Sequence, residues 1–176
     1  MLKSELLVDR PWLRIYLERL ALPNGAIMEE FHRLESRPWT AVVALDEQGR
    51  LLMVDQYRRG LDGISRELPA GIIEPGETPL AAARRELLEE TGHEAERWTE
   101  LATLSPEPFR SNSRAHLFVA RGARLVAAQK LDATEELTVH LVPIAEALAA
   151  AEQGGIVHGT HVAALLLADR RGLLRP

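Results

Sequence analysis

The stretch Gly71–His93, GIIEPGETPLAAARRELLEETGH, decides the fold because it predicts a helix with capping residues at both ends. Thr78 is suited to cap the amino end, where its hydroxyl can accept a backbone N–H group. Pro79 suits the first helical position, and Gly92 suits the stop. We therefore expect a helix over about Thr78–Thr91.

Three glutamates near the end of this helix need an explanation. Glu86, Glu89 and Glu90 lie within about one 100° arc of the helical wheel. Arg85 can pair with Glu89, four residues on, whereas Glu86 and Glu90 have only each other by spacing. Like charges at this spacing repel, and acidic residues favour the first turn of a helix. A solvated acidic face and a site for hard divalent cations such as Mg²⁺ or Mn²⁺ are the two explanations.

Composition places the chain among globular proteins. It has 176 residues, 46% of them hydrophobic and 27% charged, which suits one domain over residues 1–176. The net charge of −5 gives no footprint for nucleic acid or an anionic membrane, so we expect neither partner. The absence of cysteine excludes disulfides and thiolate chemistry. No signal peptide or long apolar run is recognisable, and a cytoplasmic location is expected.

Strands are predicted on both sides of the helix. Residues 12–35 predict two antiparallel strands around a turn at Pro23–Gly25, and residues 40–58 predict a second hairpin with its turn at Asp46–Gly49. Further strands are expected at residues 98–105, 114–123 and 137–144, and further helices at residues 144–153 and 160–169. The fold class is therefore α+β, with a mixed sheet and helices on its faces.

The residues of this stretch resemble the Nudix box. Five residues separate Gly71 from Glu77, and seven separate Glu77 from the Arg85-Glu86 pair. Glu89, Glu90 and Gly92 then complete the pattern, and only the last, apolar position departs from it, with His93. The resemblance implies a Nudix hydrolase with an α/β/α sandwich, which cleaves a nucleoside diphosphate linked to another moiety.

The same resemblance implies roles for individual residues. Glu86, Glu89 and Glu90 would be catalytic and would hold the metal, two or more ions of Mg²⁺ or Mn²⁺. Arg85 would orient these carboxylates, and the backbone carbonyl of Ala70 would be a further metal ligand. The structural positions of the box would be Gly71, which packs tightly, Glu77, which braces the loop, and Gly92.

Sequence outside the box resembles the ADP-ribose pyrophosphatase branch. The segments VDQYRRG (residues 54–60) and RELPAG (residues 66–71) carry this likeness, together with Pro106 and Pro108. The resemblance implies that Arg58 contacts the diphosphate or the terminal ribose. We also expect substrate-binding roles for Arg66, Glu67 and Arg114, although Ser113 stands where this branch often has a glutamate.

A late-loop acid is the last predicted catalytic group. The branch has a glutamate just before a strand that serves as base or metal ligand, and Glu135 matches that place, with Glu136 as the alternative. Trp12 and Trp39 are the candidates for stacking a base, although an aromatic residue in a strand is more often core. His116, His140, His158 and His161 lack metal-ligand spacing, and we expect them to be structural.

The expected reaction is metal-dependent hydrolysis of ADP-ribose, or a related nucleotide sugar, to AMP and ribose 5-phosphate or another sugar phosphate. GDP-mannose is an alternative substrate, and a non-catalytic sensor of ADP-ribose is an alternative function. The strands within about residues 1–38 predict a homodimer, because a small sheet buries its apolar residues best against a partner. Trp12, Ile15 and Leu17 are expected at that surface.

Overall fold

The computed structural model describes residues 1–175, which form two compact units. The first contains Met1–Pro38 and Ser105–Arg114, and the second contains Trp39–Leu104 and the chain from Ala115 onward. The assignment of residues 1–176 to a single domain stays a prediction. None of the helices in the described chain has the length and apolar character needed to cross a membrane.

The first unit is built on a three-stranded antiparallel sheet. It contains β1 (Lys3–Arg10), β2 (Leu13–Ala21) and β3 (Ile27–Ser36), in that spatial order. The predicted hairpin is confirmed as β2 and β3, and Gly25 in its turn has a φ of 85°. Strand β1 was not predicted, because its apolar residues are consecutive and do not alternate with polar ones.

The second unit contains an eight-stranded mixed sheet. Its strands are β4 (Trp39–Asp46), β5 (Leu51–Arg58), β6 (Gly63–Glu67), β7 (Ala70–Ile72), β8 (His93–Glu94), β9 (Arg97–Leu104), β10 (Ala115–Leu125) and β11 (Leu137–Val142). The central order is β11-β5-β4-β10-β8. Strands β4 and β10 are parallel, and the other paired strands are antiparallel.

Helices cover both faces of this sheet, and adjacent core residues of one strand face opposite sides. Val42 packs in a cluster with Leu87 of α1 (Pro79–Thr91). Val43 belongs to a second cluster, which contains residues of α2 (Ile144–Glu152) and α3 (Gly159–Arg170). This is the alternation expected of a sheet buried on both faces. The predicted α+β class and α/β/α sandwich are confirmed.

The capping residues of α1 act as the sequence predicts. The Thr78 hydroxyl accepts the N–H group of Ala81 at 3.2 Å, and Pro79 is the first helical residue. Gly92 ends the helix with a φ of 72°, and its N–H group donates to the Leu88 carbonyl. The helix is therefore fixed at both ends, which fixes the position of its glutamates.

Candidate active site

Arg85 is the centre of an ion-pair network at the start of the box. Its Nε and Nη2 donate to Glu77 at 3.0 and 2.9 Å, and Nη2 also donates to the Ile72 carbonyl at 2.9 Å. Its Nη1 donates to Glu86 at 2.7 Å and to Glu89 at 3.1 Å. One guanidinium therefore ties the helix to the preceding loop.

The bond between Arg85 and Glu86 corrects one expectation. Spacing along the helix left Glu86 without a cationic partner, and that prediction is wrong. Neighbouring residues point in different directions at the helix surface. The long arginine side chain nevertheless reaches the adjacent carboxylate, because a guanidinium presents several N–H groups in one plane.

Glu90 is the most deeply buried of the three clustered glutamates, with 5% of its surface exposed. One carboxylate oxygen accepts the N–H group of Ala70 at 2.9 Å, which ties the helix to β7. Burial raises the pKa of Glu90 well above its ordinary value, and the charges of Glu86 and Glu135 raise it further. Burial also raises the pKa of Glu86. The negative charge of this cluster is therefore incompletely compensated.

Gly71 lies directly against the Glu86 carboxylate. A Cβ atom at position 71 would come within 2.0 Å of the carboxyl carbon of Glu86. A side chain there would displace either the carboxylate or the loop. The glycine therefore allows the loop before the box to approach the acidic face of α1.

The loop that carries Glu135 is fastened to the carboxyl end of α1. The N–H group of Lys130 donates to the Glu89 carbonyl at 2.8 Å. The side-chain amide of Gln129 donates to the Glu90 carbonyl at 2.6 Å and to the Leu137 carbonyl at 3.3 Å. The bonds to Glu89 and Glu90 use helix-end carbonyls that lack partners within the helix. They explain how Glu135 comes close enough to raise the pKa values of Glu86 and Glu90.

A buried ion pair lies beside this cluster. Arg58 Nε and Nη2 donate to the two carboxylate oxygens of Glu67 at 2.9 and 2.6 Å. Glu67 is 1% exposed, while the Arg58 side chain is 41% exposed. Burial raises the pKa of Glu67, but the hydrogen bonds and the positive charge of Arg58, with smaller contributions from neighbouring groups, together outweigh it and the net shift is downward. Arg58 is thus held in a fixed orientation with Nη1 outside the pair.

The chain matches the model of a known protein family. The family model described as the NUDIX domain matches residues 35–164. The chain belongs to the Nudix family.

Its relatives include pyrophosphatases. The chain is 34% identical over 151 residues to an ADP-ribose pyrophosphatase of Mycobacterium tuberculosis (strain ATCC 25618 / H37Rv), over 85% of this chain and 72% of the relative. It is 34% identical over 122 residues to a methanol dehydrogenase activator of Bacillus methanolicus, over 69% of this chain and 65% of the relative. The chain thus spans just under two thirds of the latter protein.

A solved structure agrees with these relatives. The crystal structure of an ADP compounds hydrolase superposes with a TM-score of 0.83 and 25% identity, over 96% of this chain and 91% of that one. The expected Nudix fold and pyrophosphohydrolase class are confirmed.

Nudix hydrolases generally use divalent metals, and the donors here suit such ions. In residues 1–175 no three acidic or histidine side chains are already arranged to hold an ion. Arg85 occupies oxygens of Glu86 and Glu89, and the Ala70 N–H group occupies one of Glu90. The donors are nevertheless hard carboxylate oxygens, and burial disfavours the charge of Glu86 and Glu90. A divalent cation would relieve that cost, so the residues fit the group.

Arg66 and Arg114 were predicted to bind substrate, and in the structure both make contacts within the protein. Arg66 donates to both oxygens of Asp55 at 2.8 and 2.9 Å. Adjacent residues of a strand point to opposite faces, so Arg66 points away from Glu67. Arg114 belongs to the first unit, where its guanidinium donates to the Ser113 carbonyl at 3.2 Å. Binding of substrate by these two arginines stays a prediction.

A cavity of about 540 Å³ adjoins the Nudix box in the second unit. The predicted residues Arg58, Glu67, Ala70 and Gly71 line it. It is also lined by Trp39, Arg59, Gly60, Leu61, Ser65, Ile72, Val157, His158 and His161. His158 and His161 were predicted to be structural, without a functional role. Their spacing of three residues at the start of a helix was the available signal, because it places both rings on one face.

Proposed function

We propose that the protein hydrolyses the diphosphate bond of ADP-ribose, or of a closely related nucleotide sugar, to AMP and a sugar phosphate. The observation that carries this proposal is the cluster of half-buried Glu86 and buried Glu90, bounded by Glu135 and adjoining a cavity lined by Arg58. The cluster suits divalent cations, and the arginine suits the anionic diphosphate. The ADP-ribose pyrophosphatase among the relatives supports the choice of substrate.

The proposed site would hold Mg²⁺ or Mn²⁺, hard cations that suit carboxylate and carbonyl oxygens. Bound divalent ions would stabilise charge on the phosphoryl oxygens and lower the pKa of an attacking water. Glu86, Glu89, Glu90 and the Ala70 carbonyl would hold two or more of these ions. Each donor sits on α1 or on the strand fastened to it.

Other residues of the site would position substrate and move the proton. Arg85 keeps Glu86 and Glu89 oriented, and Glu77 holds Arg85 in turn. Arg58 would donate from Nη1 to a diphosphate oxygen, since its other nitrogens bond Glu67. Glu135 would accept the proton of the attacking water, with Glu136 as the alternative acid.

A substrate panel tests this function. ADP-ribose, GDP-mannose and other nucleotide sugars are incubated with Mg²⁺ or Mn²⁺, and phosphate is measured after a phosphatase is added. We expect the highest kcat/KM for ADP-ribose and full loss of activity in excess EDTA, with the fold intact by circular dichroism. Preference for GDP-mannose would change the substrate assignment. Tight binding of ADP-ribose without cleavage would favour a sensor, and full activity in EDTA would refute the metal mechanism.

We also propose a homodimer, formed through the three-stranded sheet of the first unit. Leu6, Leu7 and Trp12 are 45%, 46% and 57% exposed. Ile15 and Leu17 are half-buried. Exposed apolar residues on so small a sheet are best buried against a second copy. Light scattering at micromolar concentration should give twice the mass of the chain, and a monomer would contradict the proposal. A cytoplasmic location is a separate proposal.

A further inference from the structure

Three aromatic rings form one wall of the cavity beside the Nudix box. The rings of His158 and His161 stack with their centroids 4.0 Å apart and an interplanar angle of 14°. The centroid of the Trp39 ring lies 5.4 Å from that of His158 and 5.8 Å from that of His161. Trp39 begins β4, and the two histidines lie at the start of α3. The ring wall is therefore built on regular secondary structure.

His161 is the fixed backing of the ring wall. The N–H group of Leu68 donates to its Nδ1 at 3.2 Å, so Nδ1 is an acceptor and the proton of the neutral ring lies on Nε2. His161 is 1% exposed, and burial lowers its pKa to about 3. A buried neutral ring in one orientation gives His158 a stable surface on which to stack.

The ring wall offers ring faces to a ligand and few polar atoms. Nε2 of His161 and Nδ1 of His158 are buried without a hydrogen-bond partner, so a ligand in the cavity does not reach them in this conformation. Aliphatic side chains of Leu61, Ile72 and Val157 continue the lining. A sugar requires many hydrogen-bonding groups, whereas a flat heterocycle gains from ring faces and apolar contact.

The position of the cavity indicates which ligand it meets. Ala70 and Gly71 line it, and Ala70 is bonded to Glu90 of the box. A diphosphate held at the box would therefore direct one of its two attached groups into this cavity. We propose that the cavity binds the purine base of the nucleotide sugar, stacked against Trp39 and His158. This inference rests on the proposed function for its choice of ligand.

Binding of AMP with Mg²⁺ present tests the inference without any hydrolysis. Stacking on Trp39 should quench the tryptophan fluorescence, and Trp39→Leu should abolish the quenching. Trp98→Phe is the matched control, because that indole packs elsewhere, with Arg84 5.7 Å from its ring. Quenching that survives Trp39→Leu but is lost in Trp98→Phe would overturn the inference. So would AMP that binds equally well to wild type and Trp39→Leu by calorimetry.

Kinetics with and without the base separate the two halves of the substrate. Trp39→Leu and His158→Ala should raise KM for ADP-ribose about tenfold or more while kcat changes little. Neither variant should affect KM for an abasic analogue that has hydrogen in place of the purine. The effects of substituting the ring and of removing the base are then non-additive. Equal weakening of both substrates would mean that the ring wall only supports the box or binds the sugar half, and would overturn the inference.

The two proposals fail in different ways. If no nucleotide sugar is cleaved while AMP quenching depends on Trp39, the proposed reaction is wrong and the base site stands. If ADP-ribose is cleaved normally by Trp39→Leu and by His158→Ala, the reaction stands and the base site is refuted. Thermal unfolding of each variant verifies that a loss of binding is not a loss of fold.

Discussion

Glu67 and Glu90 are both buried glutamates, and their surroundings affect their charges in opposite directions. Glu67 is 1% exposed and Glu90 is 5% exposed. Burial raises the pKa of each carboxyl. In Glu67 the hydrogen bonds and the positive charge of Arg58, with smaller contributions from neighbouring groups, together overcome that effect, and the pKa is lowered. In Glu90 the hydrogen bond from the Ala70 N–H group does not, and the pKa is raised well above its ordinary value.

The difference shows that the partner decides what a buried acid can do. A carboxylate with a bidentate arginine is already compensated, and it serves to hold that arginine in place. A carboxylate beside other acids keeps an unfavourable charge, which a cation from solution can neutralise. Glu67 therefore suits a positioning role and Glu90 suits a metal site. Four measurements test this distinction.

Glu90→Gln should give the largest effect, a fall in kcat of about a hundredfold or more, because a metal ligand acts on the transition state. Without metal the variant should be as stable as wild type or more so, since a buried charge is removed. Steady-state kinetics and thermal unfolding in EDTA measure the two effects. Glu94→Gln, at an exposed position, is the control. A wild-type rate in Glu90→Gln would leave the cluster as an acidic face only.

Glu135→Gln should reduce kcat by about tenfold to a thousandfold with little change in KM, since a base acts mainly in the transition state. The substitution also removes one of the charges that raise the pKa of Glu90. Glu136→Gln is the matched control and should be nearly neutral. A large loss at Glu136 alone would shift the assignment by one residue. Wild-type rates in both variants would place the base elsewhere, with Glu89 as the next candidate.

Glu67→Gln should destabilise the protein without metal, whereas Glu90→Gln is expected not to. The expected loss is about 1–3 kcal/mol in the free energy of unfolding in EDTA. The amide retains one acceptor for Arg58 but loses the charge, and Arg58 becomes less restrained. We also expect KM to rise more than kcat falls. Urea unfolding and steady-state kinetics provide the measurements. Unchanged or increased stability would show that the ion pair does not compensate Glu67.

The smallest effect is expected in the pH dependence of stability without metal, which should differ between Glu90 and Glu67. The raised pKa of Glu90 means that the folded state binds more protons than the unfolded one, so its contribution falls as pH rises above about 4.5. The lowered pKa of Glu67 makes its contribution present above that pH and lost below it. Urea unfolding from pH 3 to 8 on the two glutamine variants measures this, relative to wild type. The stability gain of Glu90→Gln should grow with rising pH, and parallel curves would contradict the assignment.

Local patterns predicted much of the fold. The capping residues predicted the bounds of α1 to within about one residue. Alternating or apolar runs predicted β4, β5, β9, β10 and β11. Strands β7 and β8 have three and two residues, too few for a period to be visible. They form because their neighbours in the sheet supply hydrogen-bond partners.

The candidate site was less accessible to sequence reasoning where it depends on distant contacts. Arg85 and the three clustered glutamates stand at fixed spacings within one helix, and the remaining box residues flank it in sequence, so a local pattern predicts them. Leu68 and His161 are 93 residues apart, so the bond between them leaves no local signal. The pairing of Arg66 with Asp55 depends on the register of β5 and β6, which spacing alone does not provide.

The fastening of the Glu135 loop to α1 has a consequence for effective concentration. Lys130 and Leu137 are both tied to the end of the helix, directly or through Gln129. Only six residues, 131–136, lie between these anchors. A short closed loop keeps its acid at a high local concentration, which falls as the loop lengthens. The length of this segment is thus a variable through which turnover can change while every residue of the Nudix box stays the same.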